Sequence, residues 1–394
     1  MKVICDRAAL LNGINLVSGA VAARTPKPQL QCIKLSATAG KAGHELVLAA
    51  TDAEIAIRLR LATVDVKAAG EALIMGDKLR GIVSAEDHEP TLTIEVSADA
   101  CNIRGGDAKF RLLTYPPADF PPIPDFSEVT AATARPRAVF ATPADQLRSV
   151  VERTIFATAR ETSRYAINGV LLKRDGKRLE LVATDGRRLA LSRAVVTSAD
   201  KDAKPVTCIV PTKALQMLVR LMGDPEDTVQ VAITDNQIYF ALTSGKDSTP
   251  RAVLSSTLVE GTFPPYEDVI PKDQDKKVTF DRDVLSSAVR RAALLTNEES
   301  RGVRLKFTGA DKRLELTSRA PEMGDAEVRV DLANYEGEDI EIGFNPSFIT
   351  DALKVIPDNE VILELKAHNK PGLIKCSPKS TSEFLYVVMP VNLT

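Results

Sequence analysis

The chain repeats one pattern three times along its length, and this repetition limits the folds that it can adopt. Each copy opens with a short strand that runs into an amphipathic helix, at residues 3–6, 139–142 and 278–281. The helix starts lie 136 residues apart (142 − 6) and then 139 apart (281 − 142). A related strand follows in each copy: ELVLAATD at 45–52, ELVATDG at 180–186 and RLELTS at 313–318. Three copies of one supersecondary unit predict a pseudo-symmetric molecule.

Each copy also contains a second helix, which begins near Asp77, Pro211 or Pro346. In the second copy, Thr142 is expected to cap the first helix, with Pro143 in its first turn. The remaining segments alternate apolar and polar residues, as strands do. Each copy therefore predicts two helices and about eight short strands, an α+β fold with helices packed on antiparallel sheets.

Proline-rich stretches mark the ends of the first two copies. Residues 115–124 read YPPADFPPIP and residues 263–271 read FPPYEDVIP. Proline favours an extended and semi-rigid path, which suits a connection between domains. We therefore predict three domains, at 1–127, 137–266 and 276–394.

Composition narrows the class of protein. Hydrophobic residues make up 44% of the 394 residues and the net charge is −2. No apolar run approaches the roughly 20 residues that a membrane helix needs, and the N-terminus has no apolar signal core. A cytoplasmic protein without a membrane segment is expected. The five cysteines are widely spaced, so reduced, buried thiols are expected and a metal or disulfide framework is not.

The predicted helices carry many basic residues beside their apolar stripes. Lys213 and Arg220 are seven residues apart and should share a helix face, as should Arg153 and Arg160. A solvated outer face explains any single helix, whereas basic residues on all six helices favour a surface that meets phosphate. The residues are Arg7, Lys78, Arg80, Arg148, Arg153, Arg160, Lys213, Arg220, Arg282, Arg290, Arg291 and Lys354.

No established catalytic motif occurs in the sequence. The three histidines lack partners at metal-ligand spacing, and the glycine-rich nucleotide motifs and the GxSxG and HExxH motifs are missing. Thr184-Asp185-Gly186 could suggest a nucleophile, but Thr51-Asp52-Ala53 occupies the same place in the first copy. Because catalytic sites are seldom duplicated at a fixed fold position, the pattern favours a structural turn. We expect no catalytic residue, no metal and no cofactor.

Several motifs resemble the bacterial DNA polymerase III beta subunits, the sliding clamps, and they occur in that family's order over the whole chain. The matching segments are RYAING at 164–169, VATDGRRLA at 182–190, FPPY at 263–266, RGVRL at 301–305, IGFN at 342–345 and YVVMP at 386–390. The resemblance implies that two chains join head to tail into a ring of six similar domains, lined by twelve helices. Duplex DNA would pass through the ring without being read in sequence, while the clamp tethers the replicative polymerase.

The resemblance also implies a peptide-binding pocket between the second and third domains. Its partners would be the polymerase, the clamp loader and other proteins that carry a short hydrophobic clamp-binding motif. Asp268 stands where the family often has a basic residue, and Arg187 where some members have histidine; either change could alter the charge preference for partners. The implied pocket residues are Ile167, Thr184, Gly186, Arg187, Arg188, Leu189, Pro264, Val269, Val387 and Met389 in one subsite, and Phe348, Pro390, Val391 and Pro371 in the next.

DNA contacts and a homodimer interface follow from the same resemblance. The implied DNA-binding residues are Arg24, Arg160, Tyr165 and Lys213, while Glu161 and Ala166 differ from the family's contact residues. At the interface, a basic and apolar group would meet an apolar and acidic group of the second chain. The first group is Lys109, Phe110 and Arg111, and the second is Leu294, Leu295, Glu298, Glu322 and Glu327. The sequence alone favours a place in the core for Phe110, Leu294 and Leu295.

Two other functions compete with the clamp. One is a hydrolase that uses Thr184, Asp185 and Glu161, and the duplicated Thr-Asp motif argues against it. The other is a protein-binding scaffold that never meets DNA, and the basic helices argue against that.

Overall fold

The computed structural model describes residues 1–40, 43–97, 99–131, 133–161, 165–199, 204–245, 249–296 and 302–392. Antiparallel strands predominate in these segments, with helices between them. The α+β class predicted from the sequence is therefore confirmed. None of the described helices is long and apolar enough to cross a membrane.

Seven α-helices lie in the described residues. Six correspond to the predicted pairs, and the short helix between the first two copies was not predicted. Asp6, Asp281 and Asn345 cap the helices that follow them, because each side chain accepts a hydrogen bond from a backbone N–H of the first turn. The helices are α1 (Arg7–Val17), α2 (Gly76–Ala85), α3 (Phe126–Thr130), α4 (Ala144–Ile155), α5 (Thr212–Leu221), α6 (Arg282–Ala292) and α7 (Pro346–Val355).

The strands follow a similar order in each copy, with nine described in the first copy, nine in the second and eight in the third. The first copy contains β1 (Lys2–Asp6), β2 (Cys32–Gly40), β3 (Gly43–Thr51), β4 (Ile55–Leu61), β5 (Val64–Ala68), β6 (Gly70–Met75), β7 (Thr91–Ser97), β8 (Ala100–Arg104) and β9 (Lys109–Leu113). The second contains β10 (Ala138–Pro143), β11 (Gly169–Asp175), β12 (Arg178–Thr184), β13 (Arg188–Val195), β14 (Ser198–Ala199), β15 (Val206–Pro211), β16 (Thr228–Ile233), β17 (Gln237–Thr243) and β18 (Ala252–Thr257). The third contains β19 (Lys276–Asp281), β20 (Val303–Thr308), β21 (Arg313–Ala320), β22 (Gly324–Asp331), β23 (Ile340–Phe344), β24 (Glu360–Leu365), β25 (Gly372–Cys376) and β26 (Glu383–Val388).

The chain divides into two compact units. The N-terminal unit comprises Met1–Leu147, Val196–Val206 and Lys213–Leu258, and the C-terminal unit comprises Arg148–Val195, Thr207–Thr212 and Val259–Thr394. Both units include parts of the second copy. The three-domain boundaries at 1–127, 137–266 and 276–394 remain a prediction.

The N-terminal unit contains a five-stranded sheet and a nine-stranded sheet. Their strand orders are β5-β1-β7-β8-β9 and β14-β10-β16-β17-β18-β4-β3-β2-β6. Helix α1 packs against α2 and against β3 and β4. Its apolar face supplies Leu10, Ile14 and Val17, all fully buried, so this face of the predicted amphipathic helix forms core.

The C-terminal unit contains an eight-stranded sheet, β15-β11-β12-β13-β26-β25-β24-β19, and a four-stranded sheet, β22-β21-β20-β23. Helix α6 packs against α7 and against β21 and β22. Leu285, Val289 and Leu353 are buried on these helices. The third copy thus repeats the helix and sheet packing of the first.

Each long sheet joins strands from two successive copies. In the N-terminal unit β18 pairs with β4, so that Leu254 lies opposite Ile57. In the C-terminal unit β26 pairs with β13, and Tyr386 lies opposite Ala190. The last strand of one copy therefore pairs with the fourth strand of the copy before it.

Two predictions about the first helix of the second copy are wrong. Thr142 and Pro143 belong to β10, and α4 begins only at Ala144. The Thr142 side chain is buried, and its hydroxyl makes no hydrogen bond within the described residues. Arg153 and Arg160 share no helix face, because α4 ends at Ile155 and Arg153 is only 9% exposed.

Candidate peptide-binding pocket

An apolar pocket of about 200 Å³ opens in the C-terminal unit. Its floor is part of a buried cluster that includes Leu189, Tyr266 and Val387. The volume is enough for one or two apolar side chains, and the rim supplies a few polar groups. The lining residues are Tyr165, Ile167, Thr184, Gly186, Arg188, Leu189, Pro264, Tyr266, Val269, Val387 and Met389.

The junction between the second and third copies forms one wall of this pocket. Leu189 on β13 lies directly opposite Val387 on β26. The strand pairing continues past the end of β26, since the Met389 N–H donates to the Arg187 carbonyl oxygen over 2.9 Å. The apolar end of the chain is therefore held as a wall of the pocket.

The Thr184-Asp185-Gly186 motif forms a turn at the edge of the pocket. The Thr184 hydroxyl donates to the Arg188 carbonyl oxygen (2.7 Å), and Asp185 Oδ1 accepts from the Arg187 and Arg188 N–H groups (3.0 Å each). Gly186 takes the left-handed conformation (φ 84°) that this turn requires.

The first copy forms the same turn with different residues. Thr51 donates to the Ile55 carbonyl oxygen over 2.9 Å, and Asp52 Oδ1 accepts from the Glu54 and Ile55 N–H groups. Ala53 holds the left-handed position, with φ 78°. The prediction that this duplicated motif is a structural turn is confirmed.

Arg188 lies on the polar side of the pocket and is held in place by its neighbours. Its Nε donates to Asp185 Oδ2 and its Nη1 to Asp351 Oδ2, each over 3.0 Å, while Nη2 donates to the Phe156 carbonyl oxygen over 2.8 Å. The guanidinium also lies 4.5 Å from the centroid of the Phe348 ring. Because all three nitrogens are engaged and the plane is stacked, this cation is fixed in one orientation.

A buried acid supports Tyr266 at the base of the pocket. The Tyr266 hydroxyl donates to Glu180 Oε1 over 2.6 Å, and Arg193 Nε donates to Glu180 Oε2 over 2.7 Å. Burial by itself would raise the pKa of Glu180, but the bonds from Tyr266 and Arg193 hold it below its ordinary value. Burial and the neighbouring carboxylate raise the pKa of Tyr266. The phenol therefore stays protonated and continues to donate to Glu180.

The structure brings together nine of the residues that the sequence assigned to the pocket. Arg187 is an exposed neighbour of the lining residues, and Phe348 is linked to them through Arg188. Tyr266 was not among the predicted pocket residues, although its FPPY motif was the available signal, and Tyr165 was predicted to contact DNA. The nine residues are Ile167, Thr184, Gly186, Arg188, Leu189, Pro264, Val269, Val387 and Met389.

Pro390 and Val391 line a different cavity, of about 500 Å³, in the same unit. Arg304, Glu341 and His368 also line it, so its character is polar. The Val391 N–H donates to the Gly343 carbonyl oxygen over 2.8 Å. Pro371 lines neither cavity, and its carbonyl oxygen accepts from Gln274 Nε2 over 2.8 Å.

The four residues assigned to DNA have different surroundings. Arg24 and Arg160 are exposed, and Tyr165 lines the apolar pocket. Lys213 is 52% exposed and forms an ion pair with Asp52. Other exposed arginines on the helices make no ion pair within the described residues, namely Arg80 on α2, Arg220 on α5, and Arg290 and Arg291 on α6.

The described residues assigned to the dimer interface lie on two strands, a turn and a short 3-10 helix. Lys109, Phe110 and Arg111 are on β9, an edge strand of its sheet, and Glu327 is on the edge strand β22. Glu322 is exposed in the turn before β22. Glu298 lies outside the described residues.

Leu294 and Leu295 end a short 3-10 helix after α6. Leu294 is 75% exposed, so its interpretation as a core residue is wrong, and Phe110 and Leu295 are only partly buried. Leu113, at the end of β9, is a further apolar side chain that the sequence analysis did not single out, and it is 67% exposed. Apolar groups left open on an edge strand and a turn are typical of an interaction surface.

Three family models match the chain in succession. The DNA polymerase III beta subunit N-terminal domain matches residues 1–124, the central domain 141–265 and the C-terminal domain 267–392. The beta sliding clamps of Pseudomonas putida and Escherichia coli K12 are 33% and 30% identical to this chain, each over 100% of both chains.

Solved structures agree with these sequence matches. A sliding clamp from Pseudomonas aeruginosa, bound to griselimycin, gives a TM-score of 0.87 at 32% identity, with 100% of both chains covered. A DNA polymerase sliding clamp from Bacillus subtilis also gives 0.87, at 26% identity and the same coverage. The chain therefore belongs to the DNA polymerase III beta subunit family, the bacterial sliding clamps.

Proposed function

We propose that two copies of this chain close head to tail into a ring that encircles duplex DNA and tethers the replicative polymerase. The observation that carries this proposal is the way successive copies join. Twice within the chain, the last strand of one copy pairs with the fourth strand of the copy before it, through β18–β4 and β26–β13. Under the same rule, β9 of the first copy needs the fourth strand of a third copy, β22, from a second chain.

Both strands are available for such a pairing. β9 ends the five-stranded sheet and β22 ends the four-stranded sheet. An edge strand presents unpaired backbone groups that a second chain can bind. Because the rule joins unlike strands, each chain offers one of each kind, and two chains satisfy both.

The internal junctions also predict the register of this pairing. Phe110 corresponds to Leu254 and Tyr386, since each lies opposite a buried apolar residue within its hairpin: Ile103, Phe240 and Ile374. Ala326 corresponds to Ile57 and Ala190, since each lies opposite a small buried residue of the preceding strand: Ser318, Ala50 and Ala183. Phe110 should therefore lie opposite Ala326 of the partner chain.

Charge complementarity favours this register. With Phe110 opposite Ala326, Arg111 lies opposite Asp325 and Lys109 opposite Glu327. Opposite charges on directly facing residues stabilise an antiparallel pair. Glu327 already forms an ion pair with Arg329 on its own strand, so Lys109 would join an existing cluster. A shift of one residue would set Phe110 against an acid and remove the match.

Weak phosphate contacts suit a ring that slides. Each cation that neutralises a phosphate adds affinity that falls with salt, and phosphate contacts carry no sequence information. Arg24, Arg160 and the unpaired helix arginines are the candidates for these contacts. Enclosure within the ring retains the DNA, so the contacts themselves need not be tight.

The apolar pocket supports the tethering role. Ile167, Leu189, Val387 and Met389 offer a site for a Leu or Phe side chain of a partner peptide. Partners would be the replicative polymerase, the clamp loader and other proteins with a short hydrophobic motif. Tethering raises the effective concentration of a polymerase at its template without adding any catalytic group.

We infer that the chain acts in the cytoplasm and is not itself an enzyme. The groups that a hydrolase would use are engaged in the turn, since Thr184 and Asp185 both bond to the backbone. A scaffold that never meets DNA is the second candidate. It predicts that Arg24→Glu with Arg160→Glu leaves function unchanged, whereas the clamp loses activity on DNA.

A disulfide trap tests the dimer and its register together. Lys109→Cys combined with Glu327→Cys should give a crosslinked dimer under mild oxidation, because directly facing residues have Cα atoms about 4.5 to 5.5 Å apart. Background should be low, since the five native cysteines are buried. The matched control is Lys109→Cys with Asp325→Cys, two residues out of register. Crosslinking only in the control would contradict the register, and a monomer by sedimentation equilibrium would contradict the ring.

A further inference from the structure

The charged groups around the apolar pocket are mostly engaged within the protein. Arg188 is held by Asp185, Asp351 and the Phe156 carbonyl oxygen. A partner peptide in the pocket would meet this cation already neutralised. Arg188 therefore shapes the wall and contributes little to a preference for charge.

The acids on the Tyr266 side are engaged as well. Glu180 accepts from Tyr266 and Arg193. Glu267 forms an ion pair with Lys173 over 3.0 Å, and Lys173 also donates to the Tyr266 hydroxyl over 2.9 Å. These groups form one network whose charges compensate each other.

Two charged residues next to the pocket lining, Asp268 and Arg187, do not belong to these networks. Asp268 precedes Val269, and Arg187 lies between Gly186 and Arg188. Both side chains are exposed, and neither forms an ion pair within the described part of the chain. Because both side chains are exposed, a ligand can displace part of their hydration at a small cost in free energy. Each side chain can therefore interact with a charge on a ligand.

The backbone fixes both residues at the pocket rim. The Val269 N–H donates to the Tyr266 carbonyl oxygen over 3.1 Å, which closes the short turn that carries Asp268. Arg187 is held from both sides of its peptide, through Asp185 and the Met389 N–H. Val269 itself is 39% exposed, so a peptide that covers it passes beside Asp268.

The charges of Asp268 and Arg187 are close enough to the pocket to act on a bound peptide. Asp268 and Arg187 each directly adjoin a lining residue, and consecutive Cα atoms are about 3.8 Å apart, so a peptide residue beside the anchor passes close to both. The Debye length is about 8 Å at physiological ionic strength, so a charge at that range is only partly screened. Charges at a rim change partner selection and association rate more than they change total affinity.

We propose that Asp268 and Arg187 select the partner peptides of this clamp by charge. The favoured peptide carries an apolar anchor with a basic residue that faces Asp268 and an acidic residue that faces Arg187. This inference rests on the proposed peptide-binding function of the pocket and specifies its preferred ligands. The apolar slot binds the anchor, and the two rim charges discriminate among peptides that share it.

Fluorescence anisotropy with synthetic peptides tests the selection. The probes share one apolar core that contains Leu and Phe, and differ only in a Lys, Glu or Gln placed at either end. At low salt, the dimeric full-length protein should bind the best Lys-bearing probe about two- to five-fold more tightly than its Glu counterpart, as expected for an exposed ion pair. The preference should shrink as salt is raised.

Variants assign the preference to its residue. Asp268→Lys should reverse the Lys-over-Glu preference at that end of the peptide, while Arg187→Glu should reverse the preference for an acid. Asp311→Lys, an exposed change in the turn between β20 and β21, is the matched control and should have no effect.

Two outcomes would overturn the inference, and they differ. Equal binding of Lys, Glu and Gln probes by the wild type, or an unchanged preference in Asp268→Lys, would overturn charge selection and leave the pocket function intact. Failure of every probe to bind would overturn the pocket function itself and this inference with it.

Discussion

Lys213 Nζ lies 2.5 Å from Asp52 Oδ2, so a lysine at the start of α5 is tied to the Thr-Asp turn of the first copy. The equivalent acid in the second copy, Asp185, instead holds Arg188, which reaches Asp351 on α7. In both cases an acid of the turn connects, directly or through one arginine, to the second helix of the next copy. The duplicated motif therefore acts as a joint between copies.

This ion pair should limit the contribution of Lys213 to DNA binding. Asp52→Asn removes the competing carboxylate while the amide oxygen can still accept from the Glu54 and Ile55 N–H groups. We expect a modest gain in DNA affinity at low salt and a salt-dependence slope that steepens by about one ion. DNA binding titrations at several salt concentrations measure both quantities.

Two further variants serve as controls for Asp52→Asn, namely Lys213→Ala and Asp311→Asn. Lys213→Ala should cancel the effect of Asp52→Asn in the double variant, and Asp311→Asn should show what the loss of any exposed acid does. An equal gain in Asp311→Asn would mean that net charge, and not release of Lys213, is responsible.

The pocket should lose peptide affinity when its apolar wall is made polar at the rim. Met389 is half-buried and lines the pocket, so Met389→Ser removes apolar contact without opening the core. Loss of about 1.5 to 3 kcal/mol corresponds to roughly a ten- to hundred-fold weaker peptide affinity. Fluorescence anisotropy with the Gln probe measures it.

Thermal unfolding provides the control for Met389→Ser. Its Tm should stay within a few degrees of the wild type, because the residue is at the end of the sheet. Unchanged peptide affinity at an unchanged Tm would show that the peptide binds elsewhere.

Glu180 should make the free energy of unfolding depend on pH in the acid range. Its folded-state pKa lies below its ordinary value, so its contribution is present above the unfolded pKa of about 4.3 and is lost as pH falls through the folded pKa. In Glu180→Gln, we expect a flatter decline of the unfolding free energy between about pH 5 and pH 3. Urea unfolding at a series of pH values measures this slope.

Asp311→Gln controls for removing one carboxylate from the protein. It lies on an exposed turn and should keep the wild-type slope. If Glu180→Gln also keeps the wild-type slope, its bonds to Tyr266 and Arg193 do not favour the ionised form in solution.

Charge reversal should split the dimer, and a second reversal should restore it. In the proposed register, Lys109→Glu with Arg111→Glu would place like charges opposite Asp325 and Glu327 of the partner chain, and facing like charges destabilise a strand pair. A dimer dissociation constant raised by at least ten-fold is expected from sedimentation equilibrium. Adding Asp325→Lys and Glu327→Lys should recover most of the affinity, while no recovery would contradict the proposed facing pairs.

The repetition in the sequence predicted the main features of the fold, because helix caps and strand alternation are local signals. Asp6 and Asp281, which end the predicted opening strands of the first and third copies, cap α1 and α6. Thr142 failed as a cap since pairing with β16 extends β10 through Pro143. Tertiary strand pairing thus decided a boundary that propensity alone had placed earlier.

Other features depend on contacts between distant parts of the chain. Arg153 reads as a surface residue from its charge, yet it is buried, and such burial follows only from packing. Tyr266 lines the pocket, and its hydroxyl donates to Glu180, which is 86 residues away in sequence. Most of the predicted residues that line the pocket lie in motifs shared with the family. No sequence pattern indicated the ion pair of Lys213.

The central claim is that this chain forms a ring that holds DNA by enclosing it. The most direct test loads the protein onto nicked circular DNA with its clamp loader and ATP, then isolates the complex by gel filtration before and after the circle is linearised with a restriction enzyme. A closed ring should be retained on circles and lost from linear ends. Equal retention on both forms would contradict it, because surface binding does not depend on a free DNA end.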